Sequence, residues 1–316
     1  MRIPKKALMA AMLMVLCLSG TRLWAQGPPF QVDDPVPVDF KHYEFYIFGS
    51  ADGTPAEMDY SGPAFEFNWG AVPRVQLHAI LPWGGIYPSN NAVYYPGGTG
   101  PSAHGLIDME LGVKLAIIKE TKTIPQIGTF TMFEMPTGNY DKGLGVGKVW
   151  YRLPLWLQKN EGKWLFDGGA GETVVPQTGY HDFPYGGFLL KREMNKKLEL
   201  AAEVFSHGGE GYATPQTQAS TMIDAGGYWH LKGEETMQLL FAYGHSVAGQ
   251  TENYAYLGLY WTWGKDDKKD DKDKDSTDKK AMLQNAMYSG HALKTDSDSL
   301  AGCDKFPESR EQLPWR

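Results

Sequence analysis

The sequence predicts a transmembrane, antiparallel, up-and-down β-barrel of about 12 strands, an all-β fold class, and three observations support it. Polar and apolar residues alternate with a two-residue period in many segments, as in strands with two different faces. These segments approach the roughly 9 to 11 residues that a strand needs to cross a bilayer. The connections between them are alternately short and long, as tight periplasmic turns and larger outer loops would be.

Residues 1–25 predict a cleaved secretory signal peptide. The stretch 1–6 is basic, 7–18 is apolar, and Ala25 places a small residue before the expected cleavage point. The apolar run is shorter than the roughly 18 residues of a membrane-spanning helix, and no later uncharged stretch reaches that length. We therefore expect export, followed by insertion into the outer membrane.

Residues 26–39 form a proline-rich N-terminal segment. Its four prolines are incompatible with a helix or a central strand. Two interpretations remain open: the segment folds into the barrel lumen as a small plug, or it is a periplasmic linker.

The predicted barrel spans residues 40–264. In its second segment, Phe65, Phe67 and Trp69 share one face while Glu66 and Asn68 share the other. The alternating segments lie near 40–50, 60–70, 74–81, 105–118, 125–135, 148–158, 163–171, 184–193, 197–207, 220–231, 235–245 and 252–263. An even number of strands places both ends of the barrel on the periplasmic side.

The connections divide into two groups. Those predicted to be short periplasmic turns lie at 70–73, 119–124, 160–163, 194–196 and 232–234. Those predicted to be longer outer loops lie at 51–59, 82–104, 136–147, 172–183 and 208–219, whereas 247–251 is short.

The uninterrupted aliphatic and aromatic faces suit lipid, so the charged faces are predicted to line the lumen. Across 105–118, for example, apolar residues occupy one face, so the charged side chains between them must share the opposite, inner face. The predicted lumen-lining residues are Glu44, Glu66, His78, Asp108, Glu110, Lys114, Arg152, Asp167, Arg192, Glu199, Glu203 and Asp224. They either line a water-filled, mildly cation-preferring path or form salt-bridged networks that fill a narrow barrel.

Four stretches, at 27–48, 125–138, 143–159 and 256–263, resemble the meta-pathway phenol-degradation family of outer-membrane barrel proteins. The resemblance extends over roughly 27–264. It implies an outer-membrane barrel and suggests the passage of small compounds that can be aromatic. This chain departs from such barrels by continuing beyond its final aromatic strand.

Residues 265–316 predict a disordered tail, because Lys and Asp dominate its first part. The chain as a whole has a formal net charge of −7, which argues against a nucleic-acid partner. The expected partners are outer-membrane lipid, a small-molecule solute and the barrel-assembly machinery.

Motifs for other functions fail on spacing. Val149 follows Lys148 where a phosphate loop needs Ser or Thr, and the eight histidines lack metal-ligand spacing. His245 and Ser246 are adjacent, so within a strand they point to opposite faces. The sequence thus predicts no enzyme, no cofactor and no metal, but a passive pore or small-compound transporter. Two alternatives remain: a non-conducting structural or surface-binding barrel that uses its 82–104 loop, and an outer-membrane lipid hydrolase that uses Ser246.

Overall fold

The computed structural model describes residues 28–55, 57–88, 102–209, 211–212, 218–231 and 236–264. These residues form a closed antiparallel barrel of twelve wall strands, which confirms the predicted fold class. The predicted signal peptide and the predicted tail lie outside the described residues. Among the residues described, no helix has the length and apolarity needed to cross a bilayer.

The strands are β1 (His42–Gly53), β2 (Glu57–Val72), β3 (Val75–Pro88), β4 (Ala103–Leu106), β5 (Met109–Ile118), β6 (Gln126–Met135), β7 (Trp150–Glu161), β8 (Trp164–Val174), β9 (Tyr180–His181), β10 (Phe183–Asn195), β11 (Leu198–His207), β12 (Gly211–Tyr212), β13 (Ser220–His230), β14 (Met237–Gly249) and β15 (Asn253–Gly264). β4 and β5 pair with different parts of β3, so together they form one interrupted wall strand. β9 and β12 pair with each other in a separate two-stranded sheet. A short 3-10 helix, Tyr140–Lys142, lies in the β6–β7 connection.

Pairing of the first and last strands closes the barrel. β1 pairs with β15 in continuous register from His42 opposite Gly264 to Gly53 opposite Asn253. Each remaining wall strand pairs with its neighbour in the chain, and β2 pairs with both β1 and β3. The wall therefore has no free edge, as a barrel in lipid requires.

Two predicted loops are wrong in their bounds. The stretch 82–104 overlaps β3, which runs to Pro88, and β4, which begins at Ala103. The stretch 51–59 was expected to be a long connection, but β1 runs to Gly53 and β2 begins at Glu57. Asp52 pairs with Asp59 and Gly53 pairs with Met58, so the hairpin continues almost to its turn. The stretch resembles a loop because Asp, Gly and Pro are depleted in strands, although the backbone pairing continues.

The two faces of the wall have the inverted polarity of a membrane barrel. On β2, Phe65, Phe67 and Trp69 are exposed on the outside, whereas Glu66 and Asn68 are buried inside. Outward-facing rings cluster at the end of the barrel where β1 begins and β15 ends. Tyr43 stacks against Phe67, Trp69 and Trp263 with centroid separations of 5.8, 6.4 and 5.7 Å. Such aromatic belts are typical of the membrane interface.

Candidate functional site

Residues 28–39, which we call the lumen segment, lie inside the barrel. The backbone N–H groups of Gln31 and Val32 donate hydrogen bonds to the two carboxylate oxygens of Glu203, at 3.0 and 2.6 Å. The N–H of Val38 donates to Oε1 of Gln76 at 2.9 Å. Of the two interpretations left open by the sequence, these contacts support the plug rather than the linker.

A buried cation holds the middle of the lumen segment. The ammonium of Lys114 lies 3.2 Å from Oδ1 of Asp33 and 2.8 Å from Oδ2 of Asp34. It also lies 4.5 Å from the centre of the Phe130 ring. Because Lys114 and Asp34 are both almost fully buried, each needs the other as a partner.

Apolar contacts and glycines complete the packing of the lumen segment. The ring of Phe30 lies 6.3 Å from that of Tyr228. A β-carbon at Gly187 would approach the side chain of Val32 to 2.7 Å, and one at Gly128 would approach Pro35 to 2.8 Å. Glycines on the inner wall therefore allow the segment to lie close to the strands, which accounts for part of the high glycine content of 37 residues.

A network of charged groups covers one side of the lumen, from β3 to β7. The guanidinium of Arg152 lies 2.6 Å from Glu110 and 3.0 Å from Glu134. Nε2 of His78 lies 2.8 Å from Glu110, and its Nδ1 lies 2.7 Å from the side-chain oxygen of Asn68. On this side, the predicted lumen charges form a salt-bridged network.

The opposite side carries a second charged cluster and one correction. Lys191 is buried, and its ammonium lies 3.0 Å from Glu199 and 4.6 Å from the centre of the Tyr228 ring. Arg192, which was predicted to face the lumen, is instead exposed on the outer face, with its guanidinium 4.8 Å from the Trp164 ring centre. The prediction fails because residues 188–194 have apolar and charged residues at both parities, so alternation does not identify the inner face.

Apart from Arg192, the predicted lumen residues are buried or half-buried. Glu44 accepts a hydrogen bond from the hydroxyl of Tyr260 at 3.0 Å. Asp108 accepts hydrogen bonds from the N–H groups of Gly138 and Val146, both at 2.9 Å, and so anchors the β6–β7 connection.

The remaining predicted acids, Asp167 on β8 and Asp224 on β13, lie on strands near Glu203. Asp224 lies opposite Glu203 in the β11–β13 register, and both are buried. Asp167 is buried on β8, separated from Glu203 by Leu189 of β10. Asp224 and Asp167 therefore lie on either side of the carboxylate that binds the backbone of the lumen segment.

The lumen segment borders two cavities. The larger has a volume of about 370 Å³ and lies toward the ends of the strands that carry the longer connections. Its aromatic lining includes Phe30, Phe130, Trp156, Phe205 and Tyr256. The smaller cavity has a volume of about 20 Å³ and is lined by Val36, Glu44 and Gln76, among others, toward the other end. The lumen segment therefore narrows the lumen between the two cavities.

An ion pair lies near the outer mouth of the larger cavity. Nε2 of His207, a cavity-lining residue, lies 3.0 Å from Glu252 in the β14–β15 connection. Burial alone would raise the pKa of Glu252, but the hydrogen bond to His207 and the histidine charge hold that pKa below its ordinary value. This acid therefore remains ionised at neutral pH.

The residues considered for hydrolysis have other partners. Oγ of Ser246 accepts the N–H of Glu252 at 2.9 Å, and Nδ1 of His245 lies 2.9 Å from the side-chain oxygen of Asn253. This geometry does not join serine and histidine as nucleophile and base.

No protein-family model matches the sequence, and no curated protein matches it. Solved structures do resemble the fold. An outer membrane channel from Pseudomonas putida F1 has a TM-score of 0.60 and 15% sequence identity, covering 73% of this chain and 98% of that one. The NanC porin has a TM-score of 0.46 and 8% identity, covering 69% and 98%. The translocator domain of the autotransporter NalP from Neisseria meningitidis has a TM-score of 0.46 and 9% identity, covering 81% and 94%. The similarity to the Pseudomonas channel shows that this chain shares the fold of an outer-membrane barrel.

Proposed function

We propose that the protein is an outer-membrane pore through which small compounds pass passively, with the lumen segment as its narrowest part. The observation that carries the proposal is the cavity of about 370 Å³ inside a barrel with an apolar outer face. Side chains and the lumen segment together do not fill the interior. A structural barrel has no need of such a space, whereas a pore does.

The apolar outer face of the barrel also supports a location in the outer membrane. Exposed aliphatic and aromatic side chains surround the wall, and a closed barrel leaves no unpaired backbone in lipid. The fold shared with an outer-membrane channel is consistent with this location.

Small aromatic compounds are the solutes that the cavity favours. Phe30 of the lumen segment and Trp156 and Tyr256 of the wall provide ring surfaces against which another ring can pack. The resemblance to the phenol-degradation family suggests the same class. We expect only a weak preference for cations, because Lys114 and Arg152 already neutralise several of the lumen acids.

Solute flux into proteoliposomes tests the proposal. Vesicles carrying the purified protein should swell faster in an isotonic solution of phenylalanine than vesicles carrying heat-denatured protein, because phenylalanine crosses lipid slowly by itself. Arabinose serves as a small non-aromatic solute for comparison. If a correctly folded barrel gives no faster swelling with either solute, the pore is rejected in favour of a non-conducting, surface-binding barrel.

A further inference from the structure

Several buried hydrogen-bond donors around the larger cavity have no partner within the protein. Within the part of the chain that the structure describes, they are Nε1 of Trp150 and Trp156, Nε of Arg152 and the hydroxyls of Tyr185 and Tyr256. The side chains of all five residues line the cavity of about 370 Å³. Three of the residues, Trp156, Tyr185 and Tyr256, are themselves more than nine-tenths buried.

Buried acceptor atoms without a partner belong to residues that lie away from the cavity. The buried side-chain oxygens without a hydrogen-bond partner in the described residues belong to Gln158, Asn160, Asp167, Asp224 and Gln238. None of these residues lines the cavity. The cavity wall therefore has unused donors, and no unused carboxylate or amide oxygen.

A buried donor without a partner is costly, and nearly all such groups in folded proteins are paired with protein or water. Five such donors around a single cavity indicate that whatever fills the cavity, water or a solute, supplies the acceptors. An indole N–H can only donate, so the occupant must carry an acceptor atom to satisfy Trp150 and Trp156.

The charge of the lining decides between an anionic and a neutral acceptor. Asp33, Glu66 and Glu110 all line the cavity, and Arg152 is already bound to Glu110 and to Glu134. Among the described residues that line the cavity, an anion would find no lysine or arginine that is not already bound to a carboxylate. A neutral acceptor such as a carbonyl oxygen has no such disadvantage.

We propose that this cavity is a binding site for a neutral aromatic compound that carries a carbonyl oxygen. The ring packs against Phe30, Phe130 and Phe205, and the oxygen accepts hydrogen bonds from the donors of Trp156, Tyr185 or Tyr256. The inference rests on the proposed function, since the cavity lies on the proposed solute path. It adds the chemistry by which the path would distinguish one aromatic solute from another.

Calorimetric titration of the purified full chain in detergent micelles tests the site. The probes are acetophenone, which has a ring and a carbonyl oxygen; ethylbenzene, which lacks the oxygen; and benzoate, which is an anion. We expect acetophenone to bind more tightly than either of the others. In the double variant Tyr185→Phe/Tyr256→Phe, acetophenone affinity should fall by about tenfold, while ethylbenzene affinity stays the same.

Tyr46→Phe is the matched control. Tyr46 is equally buried but lines the smaller cavity, so its variant should bind acetophenone like the unmodified chain. Because the variants share the same micelles, partition of the probes into detergent cancels in the comparison. Equal affinity for acetophenone and ethylbenzene would mean that water alone serves the donors, and would overturn the proposal. Tighter binding of benzoate, or no binding of any probe, would overturn it as well.

Binding and flux can fail separately. A protein that passes phenylalanine but does not distinguish acetophenone from ethylbenzene is a pore without this site. A protein that binds acetophenone through Tyr185 and Tyr256 but gives no flux has the site without the proposed function.

Discussion

The ammonium of Lys114 lies between two carboxylates of the lumen segment; Lys114 and Asp34 are almost fully buried, and Asp33 is half-buried. Removing one member of a buried ion pair leaves the other charge uncompensated, which typically costs about 3–5 kcal/mol. We expect that cost to fall on the docked position of the segment, because β5 is held in the wall by pairing with β3 and β6. Lys114 should therefore control how often residues 28–39 leave the lumen wall.

Lys114→Met should expose the lumen segment. We expect faster backbone hydrogen exchange in peptides covering residues 28–39, while peptides from the barrel wall keep their protection. Mass spectrometry of the exchanged protein measures this directly.

Two further variants make that prediction specific. Lys159→Met breaks an ion pair with Glu120 at the rim, which is worth only about 0–1 kcal/mol, and should leave exchange in residues 28–39 unchanged. Adding Asp33→Asn and Asp34→Asn to Lys114→Met removes the stranded charges and should restore protection. Unchanged exchange in Lys114→Met would show that the ion pairs do not hold the segment.

Glu120, in the connection between β5 and β6, gives a pH-dependent prediction. Burial alone would raise its pKa, but hydrogen bonds from Lys159 and Asn160 hold the pKa below the ordinary value of 4.5. A group whose folded-state pKa is lowered stabilises the fold above its unfolded-state pKa, and this stabilisation disappears as the pH falls through the folded-state value.

Glu120→Gln should therefore be less stable than the unmodified chain at neutral pH, and the difference should shrink as the pH falls below 4.5. Urea unfolding of both proteins at a series of pH values measures the difference. The opposite trend, with a gap that widens toward acid pH, would be incompatible with a lowered pKa.

At the residue scale, sequence alternation identifies the inner face only where the two faces differ in polarity. Aliphatic or aromatic residues alternate with Glu66 and Glu110, and both acids are buried. Lys191 was missed and Arg192 was misplaced because a leucine and a basic residue occur at each parity of that strand. Only the partner of Lys191, Glu199 across the β10–β11 pair, distinguishes the two, and sequence spacing does not show that pairing.

The outer face of the strands gives a prediction about the cost of placing a charge in lipid. Leu257 lies in the middle of β15 with an exposed fraction of 58%, and Val247 lies near the outer end of β14 with 60%. Both are apolar and point outward, but only the first lies at the depth of the hydrocarbon core. Equal exposure at different depths makes them a matched pair.

Leu257→Arg should lower the free energy of unfolding by about 2–4 kcal/mol, whereas Val247→Arg should cost only about 0–1 kcal/mol. Chemical unfolding in lipid vesicles measures both variants against the unmodified chain. Equal costs for the two would contradict the assignment of the apolar face to lipid.

The position of the lumen segment could not be predicted from sequence. Its prolines excluded regular structure, but both a plug and a linker satisfied that condition. The decision depends on partners far away in the chain, 38 residues away for Gln76 and 172 for Glu203. Local sequence does not encode which distant side chains will meet the segment.

For the whole molecule, the two-residue period and the bilayer together determine the architecture. Every alternating segment corresponds to a wall strand, because apolar and polar faces are forced apart by lipid and lumen. What the sequence left open was the state of the interior. The structure shows most charges paired and the centre occupied by residues 28–39, with an unfilled cavity beside them.

We propose that the lumen is a conducting path narrowed by residues 28–39. The most direct test is the single-channel conductance of the purified protein in a planar bilayer, compared with a variant that lacks residues 28–39, under a salt gradient that reports ion preference. We predict a small, weakly cation-selective conductance for the complete barrel and a larger one for the variant. A variant that folds correctly and conducts no better than the complete barrel would contradict the claim.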